Sequence, residues 1–498
     1  MGIRSFLSKP FAAYVHHQHK PWKQDPTQAQ LRWMKRLVNQ AQNTAFGRDH
    51  DFRGIYSYED FKERVPIKDY EQLRPYFDRI VKGESDVLWP GRPQYFAKTS
   101  GTTSGAKYIP LTSDSMPNHI NSARNALLSY IHETGKAEFL DQKLIFLSGS
   151  PEMQETNGTL TGRLSGIVNH HVPGYLRTNQ MPSYKTNCVE DWEEKLDLII
   201  DETIREPMSL ISGIPPWVQM YFDRIERRTG KQIKDVFPHF SLFIYGGVNF
   251  EPYRQQLFDT IGRPVDSIET YPASEGFIAY QDSQEEEGLL LLADSGIFFE
   301  FIPLEQYGQP DAERVHVGEV ELDRNYAIIL NSNAGLWGYS IGDTVKFVSK
   351  NPHRIVVTGR VKHFISAFGE HVIGEEVEKA MKQALAEHPE AQIVEFSVAP
   401  QVTPKEGLPH HEWLVAFDQM PNDPKAFAAT LDNHLCKLNS YYDDLIRGSI
   451  LKTLELTTLK PSAFQQYMKS QGKLGGQNKV PRLANDRSIA DPIRQWMG

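Results

Sequence analysis

The sequence predicts an α/β protein in two parts, a large domain over residues 1–359 and a small one over residues 360–498. Three observations lead there. Short apolar runs alternate with helical stretches as far as residue 292, the pattern of a mainly parallel sheet with helices on its faces. From Gly296 the strands come close together with few helical residues between them, which fits an antiparallel sheet or a distorted barrel. After Gly359 and Arg360 strand and helix alternate again over a stretch of ordinary small-domain length.

The elements follow in order. Leu31, Trp33, Met34, Leu37 and Val38 recur at helical spacing within residues 28–44, and Pro66, Pro75, Pro90 and Pro93 punctuate what comes next. Residues 143–147, 209–211, 242–245, 265–270 and 289–292 read as strands, with a helix over 216–228 among them. The closely spaced strands are 298–302, 318–322, 327–331, 345–348 and 354–358. In the last part the order is strand 363–367, helix 374–387, strands 393–399 and 412–417, helix 424–439, strand 450–457 and helix 462–470.

Composition narrows the function classes. The chain has 498 residues, 40% hydrophobic and 23% charged, enough for a large core. A net charge of -9 and no run of Lys and Arg interleaved with aromatics make nucleic acid an unexpected partner. No apolar run is long enough to span a bilayer or serve as a secretory signal, so no membrane partner and a cytoplasmic location are expected. Cys188 and Cys436, far apart, predict neither a disulfide framework nor a zinc site. Oligomeric state is not legible.

The segment Lys98-Thr-Ser-Gly-Thr-Thr-Ser-Gly-Ala-Lys107 packs five hydroxyls, two glycines and two lysines into ten residues. Glycines let backbone N–H groups approach phosphate oxygens, hydroxyls add donors or a magnesium ligand, and a lysine supplies charge. It is not a Walker loop, because Ala106 separates Gly105 from Lys107 and Pro110 follows soon after. Alone, such a loop is more often a polar turn. Other elements accompany it in order: Tyr245-Gly-Gly-Val-Asn249, Glu269-Thr-Tyr-Pro-Ala-Ser-Glu275, Trp337-Gly-Tyr-Ser-Ile-Gly-Asp343, and a long segment from Gly359 through Glu378.

Together these resemble the adenylate-forming superfamily of acyl-CoA synthetases, luciferases and peptide-synthetase adenylation domains. A narrower likeness is to the auxin-responsive Gretchen Hagen family of acyl-acid amido synthetases. It is carried by Gly83-Glu-Ser-Asp-Val-Leu-Trp-Pro90, by Leu438-Asn-Ser-Tyr-Tyr-Asp-Asp-Leu-Ile-Arg447 and by the ending Gly476-Gln-Asn-Lys-Val-Pro-Arg-Leu483. The resemblance spans nearly the whole chain. Two departures stand out: Pro272 in the acidic element, and Lys362 where many relatives of the wider superfamily have aspartate. The resemblance implies a large adenylate-forming domain, mainly parallel sheets with helices plus a β-barrel-like part, and a small mobile α/β domain. It also implies that ATP and Mg2+ are needed, and that the substrates are a small carboxylic acid and an amino acid.

It further assigns roles. Ser100, Gly101, Thr102, Thr103, Gly105 and Lys107 would hold the phosphates, and Glu275 with Thr102 the magnesium. Gly246, Gly247, Tyr271 and Ser274 would surround the nucleotide, and Asp343 would accept the ribose hydroxyls. Arg360 and Lys362 lie at the hinge, and Lys479 would neutralise the α-phosphate when the small domain closes. For the acyl pocket the expected residues are Arg124, Met220, Trp337 and Tyr339. No histidine has a spacing that marks it as a general base. Two alternatives stay open: a ligase passing the acyl group to a thiol such as coenzyme A, and a non-catalytic nucleotide or acyl-acid binder.

Overall fold

A computed structural model describes residues 2–99, 107–172, 174–189, 191–247, 250–361, 364–365, 372–402, 404, 407–447, 451–473, 480–484 and 486–497. The chain divides into two compact units, residues 1–249 with 258–356, and residues 250–257 with 357–498.

The larger unit is organised on a sheet of twelve strands among the described residues. One half is parallel: Gln180–Met181, Lys143–Phe146, Met208–Ser212, Leu242–Gly246 and Asp266–Ala273 lie side by side. The three central runs, Lys143–Phe146, Met208–Ser212 and Leu242–Gly246, are mostly apolar, as strands covered on both faces require, whereas Asp266–Ala273 is mixed. At Asp266–Ala273 the sheet changes character, because the chain turns straight back as Gly276–Tyr280. The antiparallel half continues through Leu289–Leu291, His353–Arg360, Tyr339–Lys350, Asn325–Ser332 and Ile297–Pro303 to Val315–His316. The strands expected after Gly296 therefore continue the parallel sheet with antiparallel neighbours. A second sheet of four strands carries Tyr95–Thr99 and Lys107–Leu111.

Some elements differ from the sequence reading. The stretch 318–322 is no strand: residues 317–319 turn, the Gly318 N–H donating to His316 Nδ1 at 3.0 Å and the Glu319 N–H to the His316 carbonyl, Leu322 makes an isolated bridge to Phe347, and the short strand is Val315–His316. The helix Ile3–Gln24 is a long element that the sequence did not announce, since Pro10 and Pro21 lie within it. Tyr58–Arg64 and Tyr70–Val81, the second with Pro75 inside it, were not foreseen either, and each starts in a capping box. In the smaller unit a helix Ser440–Arg447 was not foreseen, and the strand expected at 450–457 is Glu455–Leu459. Helices Gly374–Glu387 and Pro424–Leu438 stand where the pattern put them, alongside the sheet Gln392–Gln401, His410–Gln419 and Glu455–Leu459.

Candidate functional site

The site is built around the hairpin formed by Asp266–Ala273 and Gly276–Tyr280. Ala273 pairs with Gly276, so Ser274 and Glu275 are the two residues at its tip. The hairpin is locked from outside by Asn118, on the helix Met116–Thr134. Asn118 Oδ1 accepts from the Phe277 N–H at 2.7 Å, and its Nδ2 donates to the Phe277 carbonyl at 3.1 Å. Four residues separate that helix from the strand Lys107–Leu111.

The strand Tyr339–Lys350 carries the other carboxylate. Two crossed hydrogen bonds tie it to the hairpin: Tyr339 Oη donates to Glu275 Oε1 at 3.2 Å, and Tyr271 Oη donates to Asp343 Oδ2 at 2.6 Å. Each element thus contributes one carboxylate and one phenol. Tyr339 is fully buried, and burial together with the Glu275 carboxylate holds its phenol well above the ordinary value. It therefore stays protonated and keeps donating across the physiological range. The entry to this strand is constrained too: Gly338 has φ +52°, and a Cβ there would lie 2.2 Å from the Pro66 carbonyl oxygen.

The strands Tyr95–Thr99 and Lys107–Leu111 flank the segment expected to hold phosphate. Thr99 and Lys107 are register partners, while Ser100, Gly101, Thr102, Thr103 and Gly105 lie outside the described residues. Lys107 Nζ stands 5.5 Å from the centroid of the Tyr70 ring, and Tyr70 Oη accepts the Tyr108 N–H at 3.0 Å. Tyr70 stacks on Phe77 at 4.7 Å, and Phe77 meets Tyr339 edge-on at 6.5 Å. A run of packed rings therefore connects Lys107 to the residue that holds Glu275.

Gly246 ends the parallel strand Leu242–Gly246 and pairs with Thr270. A Cβ on Gly246 would fall 2.4 Å from the Thr270 carbonyl oxygen, so any side chain would push the strands apart. Gly247 follows with φ +76°. This bare backbone lies at the carboxyl end of parallel strands, where open α/β sheets take their ligands. Ser274 is buried beside Glu275.

The expected pocket residues fare differently. Trp337 is a core residue: it is fully buried, packs edge-on against Phe52 at 4.7 Å and donates through Nε1 to the Leu88 carbonyl at 2.9 Å. Trp337→Phe is expected to cost about 1–2 kcal/mol of stability by removing that bond and part of the packing. Thermal unfolding measures this, and an unchanged midpoint with a changed acid preference would return Trp337 to the pocket. Arg124 faces the first helix, stacked over Phe11 at 5.6 Å and bonded to Asn125 Oδ1 at 3.2 and 3.0 Å. It sits six residues after Asn118 and so about 120° around the helix from the face that grips the hairpin. Met220 is half-buried on the helix Pro215–Thr229, and Tyr339 is occupied with Glu275. In the second unit Arg360 is exposed at the end of the strand His353–Arg360. Lys362 and Lys479 lie outside the described residues.

Sequence reasoning missed Asn118 and Tyr70. For Asn118 a signal existed, an amide in the first turn after Pro117 where the helix faces inward. Tyr70 lies far upstream and carried none. Among the histidines, His119 is buried and its pKa is pushed down to about 4 by burial, so it is a weak proton acceptor at neutral pH.

Sequence models of three domains of one family match the chain: the GH3 family N-terminal domain over residues 16–195, its central domain over 290–360 and its C-terminal domain over 375–488. The chain belongs to the GH3 family. Among relatives of this GH3 chain, a jasmonoyl-L-amino acid synthetase of Nicotiana attenuata is 23% identical, over 65% of this chain and 67% of its own. An indole-3-acetic acid-amido synthetase of Arabidopsis thaliana is 20% identical over 93% of this chain and 90% of its own. Of solved structures, the GH3.15 acyl acid amido synthetase superposes with a TM-score of 0.80 at 16% identity, covering 97% of this chain and 96% of that one. A 2-hydroxyisobutyryl-CoA ligase in the postadenylation state superposes at 0.62 and 13% identity, covering 95% and 94%. The GH3 fold of this chain, with a large and a smaller α/β part, is that of these adenylate-forming proteins.

Proposed function

We propose that this GH3 chain is an ATP-dependent acyl-acid amido synthetase, joining a small carboxylic acid to an amino acid through an acyl-adenylate. The observation that carries the reading is the crossed pair of hydrogen bonds, Tyr339 to Glu275 and Tyr271 to Asp343. It puts the two carboxylates that the motifs single out on adjoining elements of one support, with Lys107 linked to the same packing. Relatives named as amido synthetases support the class of reaction.

A carboxylate resists amide formation because its charge is delocalised and its leaving group would be oxide. Adenylation removes that obstacle: an acyl oxygen attacks the α-phosphorus of ATP, the bond to the β-phosphate breaks and pyrophosphate leaves. A neutral amine then attacks the acyl carbon, and AMP departs with the acyl oxygen that joined the phosphate. Lys107, with Ser100, Thr102 and Thr103, binds the phosphates; Asp343, oriented by Tyr271, accepts from the ribose; Gly246 and Gly247 give the nucleotide a close backbone surface. Magnesium, bound with the nucleotide, neutralises phosphate charge, and it takes one or two carboxylates besides phosphate oxygens. Glu275, steered by Tyr339, is the carboxylate suited to it, with Thr102 as a second ligand. Arg360, Lys362 and Lys479, which this reading places in a small domain over residues 360–498, are the further cations it assigns to the phosphates. A cytoplasmic location is part of the same reading.

The test is acid-dependent ATP–pyrophosphate exchange over a panel of carboxylic acids, with and without EDTA. Exchange that requires an acid and stops on chelation is expected. A chain that binds ATP yet exchanges with no acid is a binder, and the proposal fails. Mass analysis of the product with amino acids or coenzyme A present then decides between amide and thioester, and a thioester alone would refute the amine.

A further inference from the structure

The helix Ile3–Gln24 is unlike the rest of the molecule. It contains Arg4, Lys9, Lys20 and Lys23 and no Asp or Glu, in a chain whose net charge is -9. One side is anchored: Ala12, Val15 and Trp22 are buried in a core cluster with Ala126, Leu128, Tyr130 and Ile131. Gly2 N–H and Ser5 N–H bond the Asp141 carboxylate. Another side is apolar and faces water. Ile3, Phe6, Leu7 and Tyr14 recur at helical spacing and are between 59% and 79% exposed, while Phe11, 41% exposed under Arg124, borders the anchored face. Scattered exposed apolar residues need no explanation, but four bulky ones on a single helical stripe do.

Beside this stripe, on the second half of the helix, lies a cavity of about 390 Å³. Its lining includes His16, His17, Lys20, Lys23 and His132, and no carboxylate. His16 and His132 stack at 4.0 Å, Lys23 is paired with Asp282 at 2.9 Å, and Lys9 faces Glu138 at 3.6 Å.

We propose that this helix docks the protein on an anionic lipid surface, its apolar stripe entering the interface while Lys20 and the cavity it lines meet the headgroups. No helix among the described residues is long and apolar enough to cross a membrane, and the expectation of no membrane partner rested on that. A helix lying in the plane of the interface needs only an apolar face flanked by cations. Charge selects the occupant. A second copy would oppose one acid-free helix with another, and a free small anion leaves the stripe unexplained. An anionic bilayer satisfies both, attracting the cations across a Debye length and burying the stripe. The inference is independent of the reaction assigned above.

The full chain is floated with vesicles of phosphatidylcholine alone and of phosphatidylcholine with phosphatidylglycerol, at low and high salt. Recovery with the anionic vesicles only, falling as salt rises, is expected. The double variant Phe6→Glu, Leu7→Glu should lose about tenfold or more of that binding, and Lys20→Glu about fivefold. Both should retain the circular dichroism and the exchange activity of the parent, since these side chains project into solvent. No binding to anionic vesicles, equal binding to both kinds, or binding indifferent to the Phe6 and Leu7 changes would overturn the proposal. So would a parent that elutes as a dimer and a double variant that elutes as a monomer, which assigns the face to a second copy.

Discussion

Glu275→Gln is expected to lower acid-dependent pyrophosphate exchange by about a thousandfold, the scale seen when one preorganised electrostatic contact to a transition state is lost. The substitution is chosen because it keeps the shape of the side chain and leaves an amide oxygen to accept from Tyr339. The fold should survive: the hairpin is held by its strand pairing and by Asn118, neither of which uses the Glu275 side chain. Glu275→Ala abolishes exchange as well, but it leaves the buried Tyr339 hydroxyl without this acceptor, at a cost of about 1–3 kcal/mol. The two variants thus separate chemistry from stability. If the effect is on magnesium, raising the metal concentration should recover part of the Glu275→Gln rate. Wild-type exchange by Glu275→Gln with an undiminished magnesium requirement would remove the residue from the site.

Much of the fold was readable because the central parallel strands, Lys143–Phe146, Met208–Ser212 and Leu242–Gly246, are mostly apolar, and their order with the helices leaves few topologies. The first helix was hidden by Pro10 and Pro21, and by small residues on its anchored side such as Ser5 and Ala12, which fit against the core without an apolar signal. Residues 318–322 alternate like a strand, yet His316 accepts the Gly318 N–H and turns the chain first. At the site, motif order put Glu275, Asp343 and Gly246 on the page but not their partners. Three strands separate those of Tyr271 and Asp343 in the order of the sheet, so the bond between them requires the sheet to curl, and no local pattern encodes it. Trp337 and Tyr339 stand two residues apart in one motif and have different fates. One fills the core beneath Phe46 and Phe52, and the other turns a hydroxyl to Glu275. Arg124 shows the same limit, since proximity to the phosphate loop in sequence does not say which face of a helix a residue takes.

Asp343→Ala should cut kcat/KM for ATP by about a hundredfold, mainly through KM. Two hydrogen bonds from ribose hydroxyls to a charged acceptor contribute about 1.5–3 kcal/mol each in favourable settings, and tenfold corresponds to about 1.4 kcal/mol. The competing account is that Asp343 only shapes the turn before its strand, in which case stability falls and KM does not. Tyr271→Phe decides between them. Its hydroxyl lies 2.6 Å from Asp343 Oδ2 and fixes the carboxylate, so its removal should raise KM for ATP about fivefold while leaving kcat nearly unchanged. A turn-forming aspartate gives no reason for that phenol to affect nucleotide binding. Comparing ATP with 2′-deoxy-ATP sharpens the point: the parent should favour ATP, and Asp343→Ala should lose most of that preference. Equal discrimination by parent and variant would take Asp343 away from the ribose and, with it, the alignment of the hairpin and the strand around one nucleotide.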